Sequence, residues 1–207
     1  MPVRVKICGI TTPEDGVMAA EAGASAVGLV FWTGSPRFVD RAVARRIVEA
    51  LPPFVVRVGV FVDQSLDMMS RIADDVGLDV IQLHGNEPPE MVACLPRRVL
   101  KAIRVSAESV LDEVARYEGA GILLDTKDAA LMGGTGRTCD WRIAHAARAR
   151  VPFLVLAGGL TADNVGAAIR SVGPDAVDVS SGVESAPGRK DPAKVEAFIQ
   201  AARAGGL

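Results

Sequence analysis

Cys8 and Asp125 are the side chains of this sequence best placed to move protons, and each closes an apolar run, Arg4-Val5-Lys6-Ile7-Cys8 and Ile122-Leu123-Leu124-Asp125. A free thiol titrates near ~8.5, so it acts as a base near neutrality only in positive surroundings. Lys6 is a candidate source of that charge, because alternation along a strand puts positions 4, 6 and 8 on one face. A thiol base and a carboxylic acid facing one substrate suit an isomerisation, which removes a proton at one atom and delivers one at another. Each residue also has an ordinary reading, Cys8 as a small buried hydrophobe and Asp125 as an acceptor for loop amides. Placement of both at strand ends favours chemistry.

Two glycine- and serine-rich tips add an anion signature. Ala157-Gly158-Gly159-Leu160 and Val179-Ser180-Ser181-Gly182-Val183-Glu184 each follow an apolar run. Glycines let backbone N–H groups come close to a phosphate and serine hydroxyls add donors, so the pair points to a sugar phosphate. Arg37 is either a fork for a substrate carboxylate or a solvated loop arginine. His84 either lines the same mouth or is a neutral histidine satisfied by its loop. Gly133-Gly134-Thr135-Gly136-Arg137-Thr138 reads as a lid or as a loop without function. His84 and His145 are the only imidazoles and neither has a second ligand at helical spacing, so no metal site is expected.

These groups need elements to hold them. Apolar strand candidates cover 3–8, 26–31, 55–62, 80–83, 99–103, 122–125, 153–157 and 176–179, and amphipathic segments begin near Pro13, Arg41, Leu66, Pro88, Ala107, Trp141, Ala162 and Pro192. Thr12, Asp40, Ser65, Ser106, Asp140, Thr161 and Asp191 read as N-caps, with Pro13 at the first helical position of its segment. Strict alternation without hairpin signals indicates an α/β protein with a parallel sheet. Eight units over 207 residues, about 26 each, fit one (β/α)8 TIM barrel, a closed eight-stranded parallel sheet forming a single domain over 1–207. The rival is an open doubly wound sheet, but Cys8-Gly9-Ile10-Thr11-Thr12 lacks the G-x-G-x-x-G fingerprint expected there.

Parity gives a sharper expectation. Val3, Val5, Ile7, Val58, Val60, Val62, Ile81 and Leu83 are assigned outward. Arg4, Lys6, Cys8, Arg57, Phe61, Gln82, His84, Lys101, Asp125 and Asp178 are assigned inward, where the charges of Lys6, Arg57, Lys101, Asp125 and Asp178 must pair in a mixed-sign layer below the mouth.

A net charge of -2 with scattered Lys and Arg gives no general attraction to nucleic acid or to anionic membranes. The apolar runs are strand-length, too short to cross a bilayer. Cys8, Cys94 and Cys139 form no CxxC pair and no signal-like segment leads the chain, so a reduced, cytoplasmic protein is expected.

Taken together, Lys6-Ile7-Cys8-Gly9-Ile10-Thr11, Gln82-Leu83-His84-Gly85, Leu124-Asp125-Thr126-Lys127, Gly134-Thr135-Gly136 with Asp140-Trp141, Ala157-Gly158-Gly159-Leu160 and Asp178-Val179-Ser180-Ser181-Gly182-Val183-Glu184 resemble, in order, the motifs of the phosphoribosylanthranilate isomerases of tryptophan biosynthesis. The likeness runs from end to end. It implies an Amadori rearrangement of N-(5-phosphoribosyl)anthranilate to 1-(2-carboxyphenylamino)-1-deoxyribulose 5-phosphate, the third step from chorismate, without metal or cofactor. By position it implies Asp125 as general acid, Cys8 as general base and Arg37 as holder of the anthranilate carboxylate. Gly158, Gly159, Ser180, Ser181 and Gly182 would sit around the phosphate, with His84 and Asp178 also against the substrate. The partners implied are a small phosphorylated substrate and, if the protein is not a monomer, a second copy in a homodimer. Two rivals stand beside this: a related sugar-phosphate isomerase of histidine synthesis, with a carboxylate where Cys8 stands, and a barrel that only binds a phosphorylated metabolite.

Overall fold

The computed structural model describes residues 2–105, 110–125 and 139–206. The eight expected strands are β1 (Arg4–Cys8), β2 (Ala26–Val30), β3 (Val56–Phe61), β4 (Val80–Leu83), β5 (Arg98–Arg104), β6 (Gly121–Asp125), β7 (Leu154–Ala157) and β8 (Ala176–Val179). All pair in parallel with their sequence neighbours, and β8 returns to β1 with Lys6 opposite Asp178, which closes the barrel. Between and after them run α1 (Pro13–Ala22), α2 (Arg41–Ala50), α3 (Leu66–Val76), α4 (Met91–Cys94), α5 (Val110–Ala115), α6 (Cys139–Arg148), α7 (Val165–Val172) and α8 (Pro192–Gly205). No helix among the described residues is long and apolar enough to cross a membrane.

Local chemistry accounts for most of these boundaries. The side chains of Thr12, Asp40, Ser65 and Asp191 each accept a first-turn amide. Such a bond satisfies a donor that the helix itself leaves orphaned. Two helices start later than the sequence suggests. The fourth begins at Met91 rather than at Pro88, and the seventh at Val165 because Thr161 opens a turn in which Asn164 Oδ1 accepts the Thr161 amide at 2.8 Å. Ser106, the side chain of Asp140 and the glycine-rich 133–138 loop lie outside the described residues. A short antiparallel hairpin absent from the expected elements follows the barrel, β9 (Glu184–Ala186) with β10 (Arg189–Lys190), which turns through Pro187 and Gly188 at φ +79°.

The helix-facing core joins Ile7, Leu29, Phe61, Ile81, Leu83, Ile122, Leu124 and Leu156 to helix residues such as Ile47, Met69, Ile169 and Phe198. The barrel interior holds smaller groups, Leu100, Leu123, Val155 and Ala176 below, with Cys8, Val30 and Val60 above. The parities assigned to β3 and to Lys101 are therefore wrong. In β3 it is Val58 and Val60, followed by Val62, that face in, while Phe61 turns out to stack on Phe31 and Arg57 turns out to grip Asp79 through Nε and Nη2 at 2.8 and 2.5 Å. Both faces of a barrel strand are apolar, so alternation alone does not say which set is inside; size decides, with β-branched valines filling the barrel and the phenylalanine meeting the helices.

Lys101 is also outward. It reaches Glu87 at 2.8 Å and the Gly85 carbonyl at 2.6 Å, under the Tyr117 ring. The mixed-sign layer inside the barrel thus reduces to Lys6 with Asp178, below Asp125 at the mouth.

The Lys101–Glu87 pair is 2% and 1% exposed, so removing one partner leaves a charge uncompensated in the core. Lys101→Met is expected to destabilise the fold by about 3–5 kcal/mol in urea titrations. Burial pushes the Glu87 carboxyl up, but Lys101 and backbone amides outweigh it and hold the group below the ordinary carboxylate range. Its contribution is therefore present above the unfolded carboxylate pKa and is lost on acidification through the lowered folded value.

Candidate active site

At the carboxyl ends of the strands lies a cavity of about 300 Å³. Cys8 enters it from β1, Asp125 from β6 and Asp178 from β8, with Arg37 and His84 from the tips after β2 and β4. The tips after β7 and β8 add Gly158, Gly159, Ser180, Ser181 and Gly182. All ten residues singled out in the sequence meet in this one space. A larger cavity of about 600 Å³ opens at the other end of the barrel, but among the described residues no carboxylate, thiol or imidazole lines it. Among the described residues no cluster of three or more His, Cys, Asp or Glu side chains could hold a metal.

The thiol stands over a buried ion pair. Lys6 Nζ donates to Asp178 Oδ1 at 2.9 Å, with the two side chains 5% and 10% exposed. Burial pulls the Lys6 pKa down, but Asp178 and the neighbouring Cys8 more than offset it and the pKa ends raised. Cys8 departs from the expectation that Lys6 would acidify it. Burial pushes the thiol up, Lys6 and the more distant Lys190 pull it down, Asp178 adds to the rise, and the result is a raised pKa. Desolvation of a thiolate in a closed barrel outweighs one lysine whose charge is already shared with a carboxylate.

Gly28 on β2 makes room for this arrangement. A Cβ there would lie 2.7 Å from Cys8 Sγ and 3.2 Å from Lys6 Cε. Gly28→Ala is expected to lower kcat by about tenfold or more and stability by about 1–3 kcal/mol, since an overpacked barrel must move either the thiol or the lysine. Steady-state kinetics and urea unfolding measure the two effects.

His84 is held low by burial and by Lys6, against the pull of Asp125 and Asp178, so its ring is neutral at pH 7. Gln82 Nε2 stands 2.9 Å from His84 Nδ1, and with the amide nitrogen turned this way Nδ1 accepts and Nε2 carries the proton. Gln82 Oε1 and Ser180 Oγ are buried without a hydrogen-bond partner among the described residues.

Arg37 is neither a solvated loop arginine nor a fork open to a ligand. Its Nε and Nη2 donate to Glu184 Oε1 and Oε2 at 2.7 and 2.6 Å, which leaves Nη1 without a protein partner among the described residues. Gly9 at φ +76° lets the arginine stem cross the first tip, because a Cβ there would overlap Arg37 Cδ. Glu184, Lys190 and Gln82 carried no role in the sequence. The Pro-Gly turn before Lys190 was the available signal for the hairpin, and the even spacing of Gln82 from His84 the signal for a shared face.

Residues 5–201 match the family model described as N-(5'-phosphoribosyl)anthranilate (PRA) isomerase. The chain is 52% identical over 202 residues to the N-(5'-phosphoribosyl)anthranilate isomerase of Geobacter metallireducens, covering 98% of this chain and 100% of that one. It is 50% identical over 201 residues to the same enzyme from Trichlorobacter lovleyi, covering 97% and 98%. The crystal structure of phosphoribosyl anthranilate isomerase from Thermotoga maritima is similar at TM-score 0.90 and 45% identity, over 99% of this chain and 100% of that chain. A crystal structure of such an isomerase in complex with reduced 1-(o-carboxyphenylamino)-1-deoxyribulose 5-phosphate is similar at TM-score 0.89 and 44% identity, with the same coverage. On likeness that spans nearly its whole length and on its closed barrel, the chain belongs to the N-(5'-phosphoribosyl)anthranilate isomerase family.

Proposed function

We propose that the upper mouth rearranges N-(5-phosphoribosyl)anthranilate to 1-(2-carboxyphenylamino)-1-deoxyribulose 5-phosphate. The observation that carries the reading is the meeting of Cys8, Asp125 and the two glycine- and serine-rich tips in one cavity. Asp125, as general acid, protonates the furanose ring oxygen; the C1–O bond breaks and the nitrogen lone pair forms the Schiff base. Cys8, as thiolate, takes the proton from C2, and the C–H electrons become a C1=C2 bond that neutralises the iminium. The resulting enolamine takes a proton at C1 and loses its hydroxyl proton to give the ketone. Oxidation at C2 balances reduction at C1, so the step needs no cofactor.

Arg37 holds the ring carboxylate through its remaining nitrogen. Gly158 and Gly159, at φ +93° and +62°, suit amides that converge on a phosphate, and the unpartnered Ser180 hydroxyl adds a donor, with Ser181 and Gly182 beside it. His84, neutral, donates from Nε2 to the substrate, and Asp178 acts beneath it through Lys6. The whole chain, 1–207, works as one domain in the cytoplasm, as a monomer or a homodimer. Purified protein given freshly formed phosphoribosylanthranilate is expected to remove its fluorescence with saturation kinetics. A rate equal to the uncatalysed one would refute the activity.

A further inference from the structure

Glu184 presents a problem of charge. A carboxylate that clamps Arg37 fixes its direction, yet it also cancels the positive charge that a ligand carboxylate would meet. The β9–β10 hairpin supplies the missing charge. Lys190 Nζ donates to Glu184 Oε1 at 2.8 Å and to the Ser180 carbonyl at 3.3 Å, and its side chain is 0% exposed. The Gly188 amide also reaches Oε1, at 3.3 Å. Asp15 secures the hairpin by accepting the Lys190 amide at 3.0 Å, and Lys194 by donating to the Glu184 carbonyl at 2.8 Å.

Arg37, Glu184 and Lys190 together carry two positive charges and one negative. Lys190 is sealed in, Glu184 is 5% exposed on its side chain, and Arg37 at 22% is the member that reaches the cavity. The surplus charge is therefore presented at Arg37.

We propose that Glu184 and Lys190 are positioning residues that hold Arg37 in one direction and leave it a net charge for the carboxylate on the aromatic ring of the substrate. This rests on the isomerase reading above and deepens it, because it makes a hairpin outside the barrel the source of selectivity for ring-carboxylated aminoaldose phosphates. The charge-assisted contact gains strength from a low-dielectric mouth and from a guanidinium that has no rotamer freedom left to lose.

The test compares dissociation constants for the reduced product analogue and for its counterpart lacking the ring carboxylate. Wild type is expected to prefer the carboxylated analogue by about tenfold to a hundredfold. Lys190→Met, which removes the charge, and Glu184→Asp, which draws Arg37 back by one methylene, are each expected to cut that preference by about fivefold or more. Any loss common to both analogues, such as one passed on through the Ser180 carbonyl, is divided out of this preference, and Lys190→Arg should keep it. This ratio is insensitive to any effect of Lys190 on the thiol.

A preference kept within about twofold of wild type by either variant overturns the role given to that residue, and an equal loss of both analogues marks a merely structural part. Lys190→Gln repeats the charge test should Lys190→Met fail to fold. Wild-type turnover of phosphoribosylanthranilate is measured alongside. Its absence would refute the isomerase reading, whereas turnover with an unchanged preference would refute only the hairpin's part.

Discussion

Cys8→Ser is expected to lower kcat by about a hundredfold to ten-thousandfold with KM nearly unchanged. Serine keeps the shape of the side chain beside Val30 and Val60, so the barrel is not disturbed, but an alcohol is a far weaker acid than a thiol and yields almost no base near neutral pH. The same chemistry fixes a pH dependence for the unmodified protein. Burial raises the thiol above its ordinary value, so at neutral pH the resting group is protonated and the thiolate fraction grows as pH climbs. kcat/KM should therefore rise with pH above neutrality. The folded state holds this proton more tightly than the unfolded chain does, so the stability it contributes is present below the unfolded thiol pKa and fades as pH rises through the folded one. Activity and stability should diverge on the alkaline side, as read by rate and unfolding profiles collected on the same samples.

Asp125→Asn is expected to produce a loss of the same order, about a hundredfold to ten-thousandfold, at a different step. An amide is far too weak an acid to deliver a proton to the furanose oxygen, so the ring stays closed. The two variants should be distinguishable by borohydride trapping. Cys8→Ser still opens the sugar, and reduction of its Schiff base yields the open-chain amine, whereas Asp125→Asn yields none above the uncatalysed background. Trapping to equal extents in both would remove the division of labour between sulfur and carboxyl.

Strand ends and helix starts were legible because they are local: Thr12, Asp40, Ser65 and Asp191 sit where their caps form. The meeting of Cys8 and Asp125 at one mouth was legible for a similar reason, since a polar residue closing an apolar run in a β/α unit has one place to go. The facing of Arg57 and Lys101 was not. Each sits in a strand apolar on both faces, and each is neutralised by a residue in a loop outside its own strand, Asp79 and Glu87, that alternation does not connect to it.

Sequence distance hid the rest. Arg37 and Glu184 lie 147 positions apart, and strands of three and two residues are too short to leave a periodic trace. Opposing forces hid the direction of the thiol pKa. Lys6 is visible two positions away, but the burial that outweighs it and the Asp178 that shares its charge exist only once the barrel closes.

The most direct test of proton transfer at the mouth is turnover of phosphoribosylanthranilate in heavy water, with the product examined by mass spectrometry and carbon NMR. Abstraction at C2 followed by protonation at C1 predicts a single solvent deuterium on C1 of the ketose. Product with C1 wholly free of solvent deuterium would mean that hydrogen passes from C2 to C1 without ever resting on an exchangeable group, and Cys8 would then not have the part given to it.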